Sequence, residues 1–305
     1  MASDLVPGSL FGNYRVTRLL ARGGMGAVYL ATDVESRRAV ALKLVRADSA
    51  SDPQYRARFE REARLTAEVD HPHVVPLYDA GQIGGVLYSA TRFIDGTDLG
   101  ALIAYRRTLH PRWATLVLAQ IASALDAAHE RRLIHRDVKP ANILIEDRAG
   151  DAFAYLTDFG LSKHVDAGRG LTRPGFWVGT FSYAAPEQLE ARDVGPAADV
   201  YALGCVLHEM LTGMVPYGRV RTLATQPTSI EPAARLTDPI ARDLSAVVEQ
   251  ATAMDPKQRY ESAGDLARAA QEAVRDVEPP PQEPLLPVAR RVRSTLLDRS
   301  APTTA

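Results

Sequence analysis

Several short stretches of the chain carry side chains suited to chemistry on an anion. Between two β-patterned runs lies Leu20-Ala21-Arg22-Gly23-Gly24-Met25-Gly26-Ala27-Val28, whose glycines let backbone amides approach a phosphate-like ligand closely. Glycines in a hairpin also serve simply as turn residues. A P-loop needs Gly-Lys-Ser or Gly-Lys-Thr opening a helix, and a dinucleotide fingerprint needs a helix directly after its glycines. Val28 to Ala31 reads as a strand, so neither applies. Val40-Ala41-Leu42-Lys43 ends an apolar β run on one ammonium, which must meet an anion or reach water. Glu62 follows in a charged helical stretch, where a surface partnership with Arg58 four residues earlier would also account for it. The densest set is His135-Arg136-Asp137-Val138-Lys139-Pro140-Ala141-Asn142, followed by a β-patterned hairpin and then Asp158-Phe159-Gly160. It gathers two carboxylates, an ammonium and an amide in a short length of chain.

That set carries a family resemblance. From about Tyr14 to Leu266 the chain resembles the eukaryotic-like serine/threonine protein kinases, especially the bacterial receptor-kinase group. The resemblance implies an α+β, bilobal protein-kinase-like fold, in which a small antiparallel β-sheet lobe with one regulatory helix joins a larger, mainly helical lobe. It implies transfer of the ATP γ-phosphate to Ser/Thr hydroxyls of protein substrates, with Mg2+ as the metal. Leu20 to Val28 then cover the phosphates, and Lys43 contacts the α and β phosphates while paired to Glu62. Asp137 accepts the substrate hydroxyl proton, and Lys139 steadies the transferring group. Asn142 and Asp158 hold magnesium, whose preference for oxygen ligands suits an amide and a carboxylate. Ala41, the gatekeeper Thr91 and Phe93 border the adenine, with Arg92 to Ile94 as the hinge. Thr180 hydrogen-bonds Asp137 and Lys139, Ala185-Pro186-Glu187 ends the activation segment, and Arg259 partners Glu187. His135 is read as a packing and hydrogen-bonding residue. These roles agree with elementary physics, because phosphoryl transfer asks a protein for charge placement and alignment more than for covalent help.

Regulation follows from charge. Arg136 directly precedes Asp137, an arrangement that in this family calls for a phosphate on the activation segment; Thr172 is the expected site, and Lys163 a second cation for it. Back-to-back homodimers through the small lobe are frequent in the family. The chain also departs from the common pattern. Ala21 replaces the first glycine of the loop, Arg92 stands where an acidic hinge residue is common, and Pro174 stands where relatives often carry a second phosphorylatable threonine. A nucleotide-binding pseudokinase scaffold usually lacks the residues matching Lys43, Asp137 or Asp158. A small-molecule phosphotransferase of related fold lacks the Lys139-Pro140 pair and Ala185-Pro186-Glu187. All are present here.

The elements that must position these residues are readable from periodicity. Tyr14 to Leu20, Ala27 to Thr32 and Ala39 to Val45 read as three antiparallel strands, with Val74 to Tyr78 and Val86 to Thr91 completing a sheet. Gln54 to Val69 suits a half-exposed helix. Beyond Gly96 come long helical patterns, notably Arg112 to Arg131 and Ala197 to Leu211, the second enclosing the lone cysteine, Cys205, as a core residue. Pro216 to Pro239 shows no clear amphipathic helix. These patterns divide the chain into a small lobe over 1–95, a large lobe over 96–276 and a proline-rich tail over 277–305.

Composition bounds the rest. At 305 residues with 46% hydrophobic positions the chain can bury one large core or two modest ones. Its 36 basic and 37 acidic residues leave a net charge of −1, so no overall basic field draws it onto nucleic acid. One cysteine allows no internal disulfide, Cys/His zinc spacing is absent, and no apolar run of membrane-spanning length occurs. A cytoplasmic location is the expectation.

Overall fold

Strand alternation organises the first lobe. The computed structural model describes residues 5–23, 26–45, 53–148, 151–159, 181–190, 192–215 and 239–278. Strands β1 (Leu10–Phe11), β2 (Tyr14–Gly23), β3 (Gly26–Asp33), β4 (Ala39–Val45), β5 (Leu77–Ile83) and β6 (Val86–Arg92) form one antiparallel sheet in the order β1-β2-β3-β4-β6-β5. Tyr14, Ala31, Val40, Leu42, Tyr88 and Ala90 make a core on one face. On the other, Val45 and Leu87 meet Tyr55, Phe59 and Ala63 of helix α1 (Pro53–Ala67). The i, i+4, i+8 spacing of those three α1 residues is a helix stripe turned to the sheet. Side chains alternate along β4, so Lys43 shares a face with Ala41 and Val45 and points away from Leu42 and Leu44.

One strand expectation is corrected. Val74 to Tyr78 is not a strand of this sheet, because β5 begins only at Leu77. Pro76 has no N–H to give to a ladder. Val74 and Val75 instead bridge to the second lobe, with the Val75 N–H donating to the Leu156 carbonyl at 2.9 Å.

The second lobe starts with β7 (Thr97–Asp98), which pairs with the hairpin β8 (Ile143–Arg148) and β9 (Asp151–Leu156). Helices α2 (Leu99–Arg106), α3 (Pro111–Glu130), α4 (Pro186–Leu189), α5 (Pro196–Thr212), α6 (Pro239–Ala251) and α7 (Ala263–Ala273) follow the chain order. Proline opens α3 and α5, where its missing N–H costs nothing and its fixed φ suits the first turn. Helix α5 is buried on nearly every side, including Cys205, and forms with α3, α6 and α7 the large core of this lobe. It stops at Gly213, whose φ of 73° lies in the left-handed region and whose Cβ, if present, would meet the Arg107 carbonyl oxygen at 2.3 Å. The bilobal α+β architecture is the one expected from the sequence. Among the described residues no helix is long and apolar enough to cross a membrane.

Candidate active site

The His135–Asn142 loop is built around a buried aspartate of α5. Asp199, 1% exposed, accepts the backbone N–H groups of His135 and Arg136, each at 2.8 Å, and the imidazole of His129 at the same distance. A carboxylate within an apolar helix must be paired, and these donors pair it. They also hold Arg136 at a φ of 63°, which a non-glycine residue adopts only when its surroundings enforce it. Gln188 of α4 donates to the Arg136 carbonyl at 3.0 Å and so ties the loop to the Ala185-Pro186-Glu187 turn. In the sequence Asp199 is marked only by its position near the start of the Ala197 to Leu211 helical pattern. The one available signal was a lone acid in an apolar run.

Asp137 lies in this loop and is 5% exposed. Its Oδ2 accepts from Lys139 Nζ at 2.8 Å and from Asn142 Nδ2 at 3.1 Å, while Asn142 Nδ2 also donates to the Asp137 carbonyl at 2.8 Å. Both Asn142 contacts use the amide nitrogen, which leaves the amide oxygen for a cation. Next along the chain, the Thr157 N–H donates to the Asn142 carbonyl at 3.0 Å and brings Asp158 to the same place. Asp158 has a φ of 64°, and its Oδ2 lies 2.9 Å from Lys43 Nζ. That ion pair joins β4 of the first lobe to the segment following β9 of the second.

The expected Lys43–Glu62 pair is therefore corrected, since the ammonium pairs with Asp158 and not with Glu62. Glu62 is half-buried on α1, where its charge adds to burial in pushing the Tyr55 phenol up to about 12.

The glycine segment splits between two strands. Leu20 to Gly23 end β2 and Gly26 to Val28 begin β3, with Ala21 opposite Val28 and Gly23 opposite Gly26. Gly26 has a φ of 150°, and a Cβ there would fall 1.8 Å from the Leu44 carbonyl oxygen. The chain can approach β4 this closely only with glycine. Ala41 and Thr91 face each other in the β4–β6 register, with the Thr91 hydroxyl 3.5 Å from the Ala41 carbonyl, and Phe93 follows β6 directly. Gly24, Met25, Lys163, Thr172 and Thr180, as well as 216–238, lie outside the described residues.

His135 is fully buried. Its Nδ1 accepts the Asp137 N–H at 3.2 Å, so the proton sits on Nε2, which donates to the Thr157 carbonyl at 2.9 Å. The ring packs 4.7 Å from that of Phe159. It is a scaffold residue, as the sequence suggested. Burial pushes its pKa below the ordinary value, against the opposing pull of Asp199 and the Thr157 hydrogen bond. His71, His73 and His110 shift the same way, each mainly through burial. A depressed folded-state histidine pKa gives stability that is present above the unfolded value, near 6.5, and lost as pH falls below it. The expected result is a fall in unfolding free energy as pH drops from 6.5 to 5.5. Urea unfolding at several pH values checks it. A flat profile over that window would contradict a neutral, buried His135.

The comparisons with known proteins agree with this geometry. Residues 14–274 match the model of the protein kinase domain family. The chain is 43% identical over 314 residues to the serine/threonine-protein kinase PknH of Mycobacterium bovis, covering 100% of this chain and 50% of that protein. It is 43% identical to the serine/threonine-protein kinases PknD and PknE of Mycobacterium tuberculosis, covering 89% and 88% of this chain and 41% and 47% of those proteins. The chain thus spans about half the length of the curated relatives it matches. A crystal structure of the Mycobacterium tuberculosis PknI kinase domain superposes with a TM-score of 0.73 at 33% identity, covering 88% of this chain and 100% of that one. The chain belongs to the protein kinase family. Within it, this is a domain of the serine/threonine protein kinase type.

Proposed function

We propose that this chain moves the γ-phosphoryl group of ATP onto serine and threonine hydroxyls of protein substrates, and onto Thr172 of its own activation segment. The observation that supports the reading best is the convergence of Asp137, Lys139, Asn142 and Asp158 on one loop system that Lys43 reaches from the other lobe. In this reading Asp137 accepts the incoming hydroxyl's proton from its buried position, and Lys139, already 2.8 Å from that carboxylate, places its positive charge beside the transferring group. Lys43 orients the α and β phosphates, the close β3–β4 approach at Gly26 keeps the phosphate-covering strands near them, and Ala41, Thr91 and Phe93 frame the base.

Magnesium suits the donor set present, since it is commonly held by one or two protein oxygens together with phosphates and water. Asn142 and Asp158 would hold it, and its charge would offset that of the nucleotide. The division into lobes at residue 95, with 277–305 as a tail, and action on the cytoplasmic side belong to the same reading. No observation favours the scaffold or small-molecule alternatives, and the three relatives described above are named serine/threonine-protein kinases.

The test is incubation with labelled ATP, Mg2+ and a generic protein substrate, followed by acid hydrolysis. Label is expected on phosphoserine and phosphothreonine, and to disappear when Mg2+ is chelated. Tight nucleotide binding with no transfer to protein would overturn the proposal in favour of a scaffold.

A further inference from the structure

Arg92, the first hinge residue, replaces the acid common at this position, and its surroundings show what it does instead. Its guanidinium lies over the Tyr155 ring of β9, 5.7 Å from the centroid. Tyr155 is 1% exposed and donates its hydroxyl to Glu146 Oε2 of β8 at 2.9 Å. Arg148 donates to the same Glu146 oxygen at 2.8 Å, hydrogen-bonds the Tyr155 hydroxyl, and covers the Phe153 ring at 3.6 Å. Burial opposes the charge of Glu146. The hydrogen bonds from Arg148 and Tyr155, with the positive charges of Arg148 and Arg92, outweigh it and hold the carboxyl below its usual range. The β8–β9 hairpin thus offers Arg92 both a π face and an ionised acid.

The same hairpin grips the other place where the lobes meet. His73 accepts the Leu156 N–H at its carbonyl, 2.7 Å, places Nδ1 2.8 Å from the Ala154 carbonyl, and lies 4.5 Å from the Phe153 ring. The Arg92 N–H donates to the Pro76 carbonyl at 2.9 Å and links the two crossings to each other. Between them Val75 of the first lobe, Ile94 of the hinge and Tyr155 of the second lobe form a small buried core of their own. Parting the lobes must slide the hinge or the 71–76 segment across β9. The backbone contacts of that segment are available to any sequence, whereas the Arg92 side chain adds a specific grip to the packing of Ile94.

We propose that Arg92 clasps the hinge to Tyr155, and that this clasp sets how readily the lobes part to admit and release nucleotide. Arg92 is thus a positioning residue acting through the hinge. The proposal rests on the nucleotide-binding reading above. A partly buried cation–π contact corresponds to roughly a 2- to 10-fold change in a rate or affinity. The measurement is the dissociation rate of a fluorescent ADP analogue with Mg2+, by stopped flow, together with kcat and KM for ATP. Arg92→Ala is expected to release the analogue about 2- to 10-fold faster and to raise KM more than it changes kcat. Arg92→Lys, which keeps a cation over the ring, should recover most of the difference. In a Tyr155→Leu background the Arg92→Ala effect should largely vanish.

Thermal unfolding of Arg92→Ala at an unaltered midpoint separates the clasp from a general loss of stability. Parent-like release in Arg92→Ala, or an undiminished Arg92 effect without Tyr155, would overturn the clasp alone. Failure of the parent to bind the analogue would overturn the clasp and the proposed function together.

Discussion

Asp137→Asn is expected to lower phosphoryl transfer by about 10²- to 10⁴-fold, the range associated with a positioned general base. The substitution is nearly isosteric. Its side-chain oxygen can still accept from Lys139 and from Asn142 Nδ2, the two donors that now meet Asp137 Oδ2 at 2.8 and 3.1 Å. The loop around it is fixed from elsewhere, by Asp199 on the backbone of His135 and Arg136. What disappears is an atom able to take a proton, together with the negative charge facing Lys139. Single-turnover transfer at saturating ATP isolates that loss, and nucleotide affinity should change by less than a few-fold. Parent-like transfer in this variant would show that the hydroxyl proton leaves by another route and remove Asp137 from the role of base.

The candidate site was legible where its residues are close in sequence. Asp137, Lys139 and Asn142 lie within six consecutive positions, and the tight Pro140–Asn142 turn among them brings their side chains together. The strands around the glycine segment and the four-residue spacing of apolar residues along α1 were readable for the same reason: each period reports a local geometry. Contacts that depend on distant segments were not readable. Asp199 is 62 residues beyond Asp137 and acts through backbone amides, which carry no side-chain signature. Lys43 pairing with Asp158 depends on how two lobes meet. Pro76 misled the strand reading because Val74 and Val75 before it and Leu77 and Tyr78 after it satisfied the pattern, while the missing N–H sent Val74 and Val75 to a different partner. Arg92 made no sense as a single letter, since its meaning lies in a tyrosine ring that reaches it from β9.

Arg259→Ala is the substitution expected to cost the fold most, about 3–5 kcal/mol. The Arg259 side chain is 0% exposed and its Glu187 partner 3%, so neither charge has recourse to water. The fork is bidentate, with NH1 to Oε1 at 2.7 Å and NH2 to Oε2 at 2.9 Å, and the same guanidinium donates to the carbonyls of Ala253, Ala197 and Met254. It also stacks over the Tyr201 ring of α5, 4.9 Å from the centroid. Alanine would leave a buried carboxylate and three carbonyls without these donors, and the penalty comes from that desertion more than from the pair's net worth. Arg259→Lys should recover little, because one ammonium cannot reproduce the planar fork. The damage should also reach catalysis. Glu187 and Gln188 are neighbours on α4, and Gln188 holds the Arg136 carbonyl, so loosening α4 disturbs the loop that carries Asp137. Chemical denaturation of the parent, Arg259→Ala and Arg259→Met/Glu187→Leu decides the matter. The paired apolar replacement removes both charges and should regain much of the loss, whereas a double variant as unstable as Arg259→Ala would mean that the abandoned carboxylate is not the main cost, leaving it to the three carbonyls and the ion pair itself.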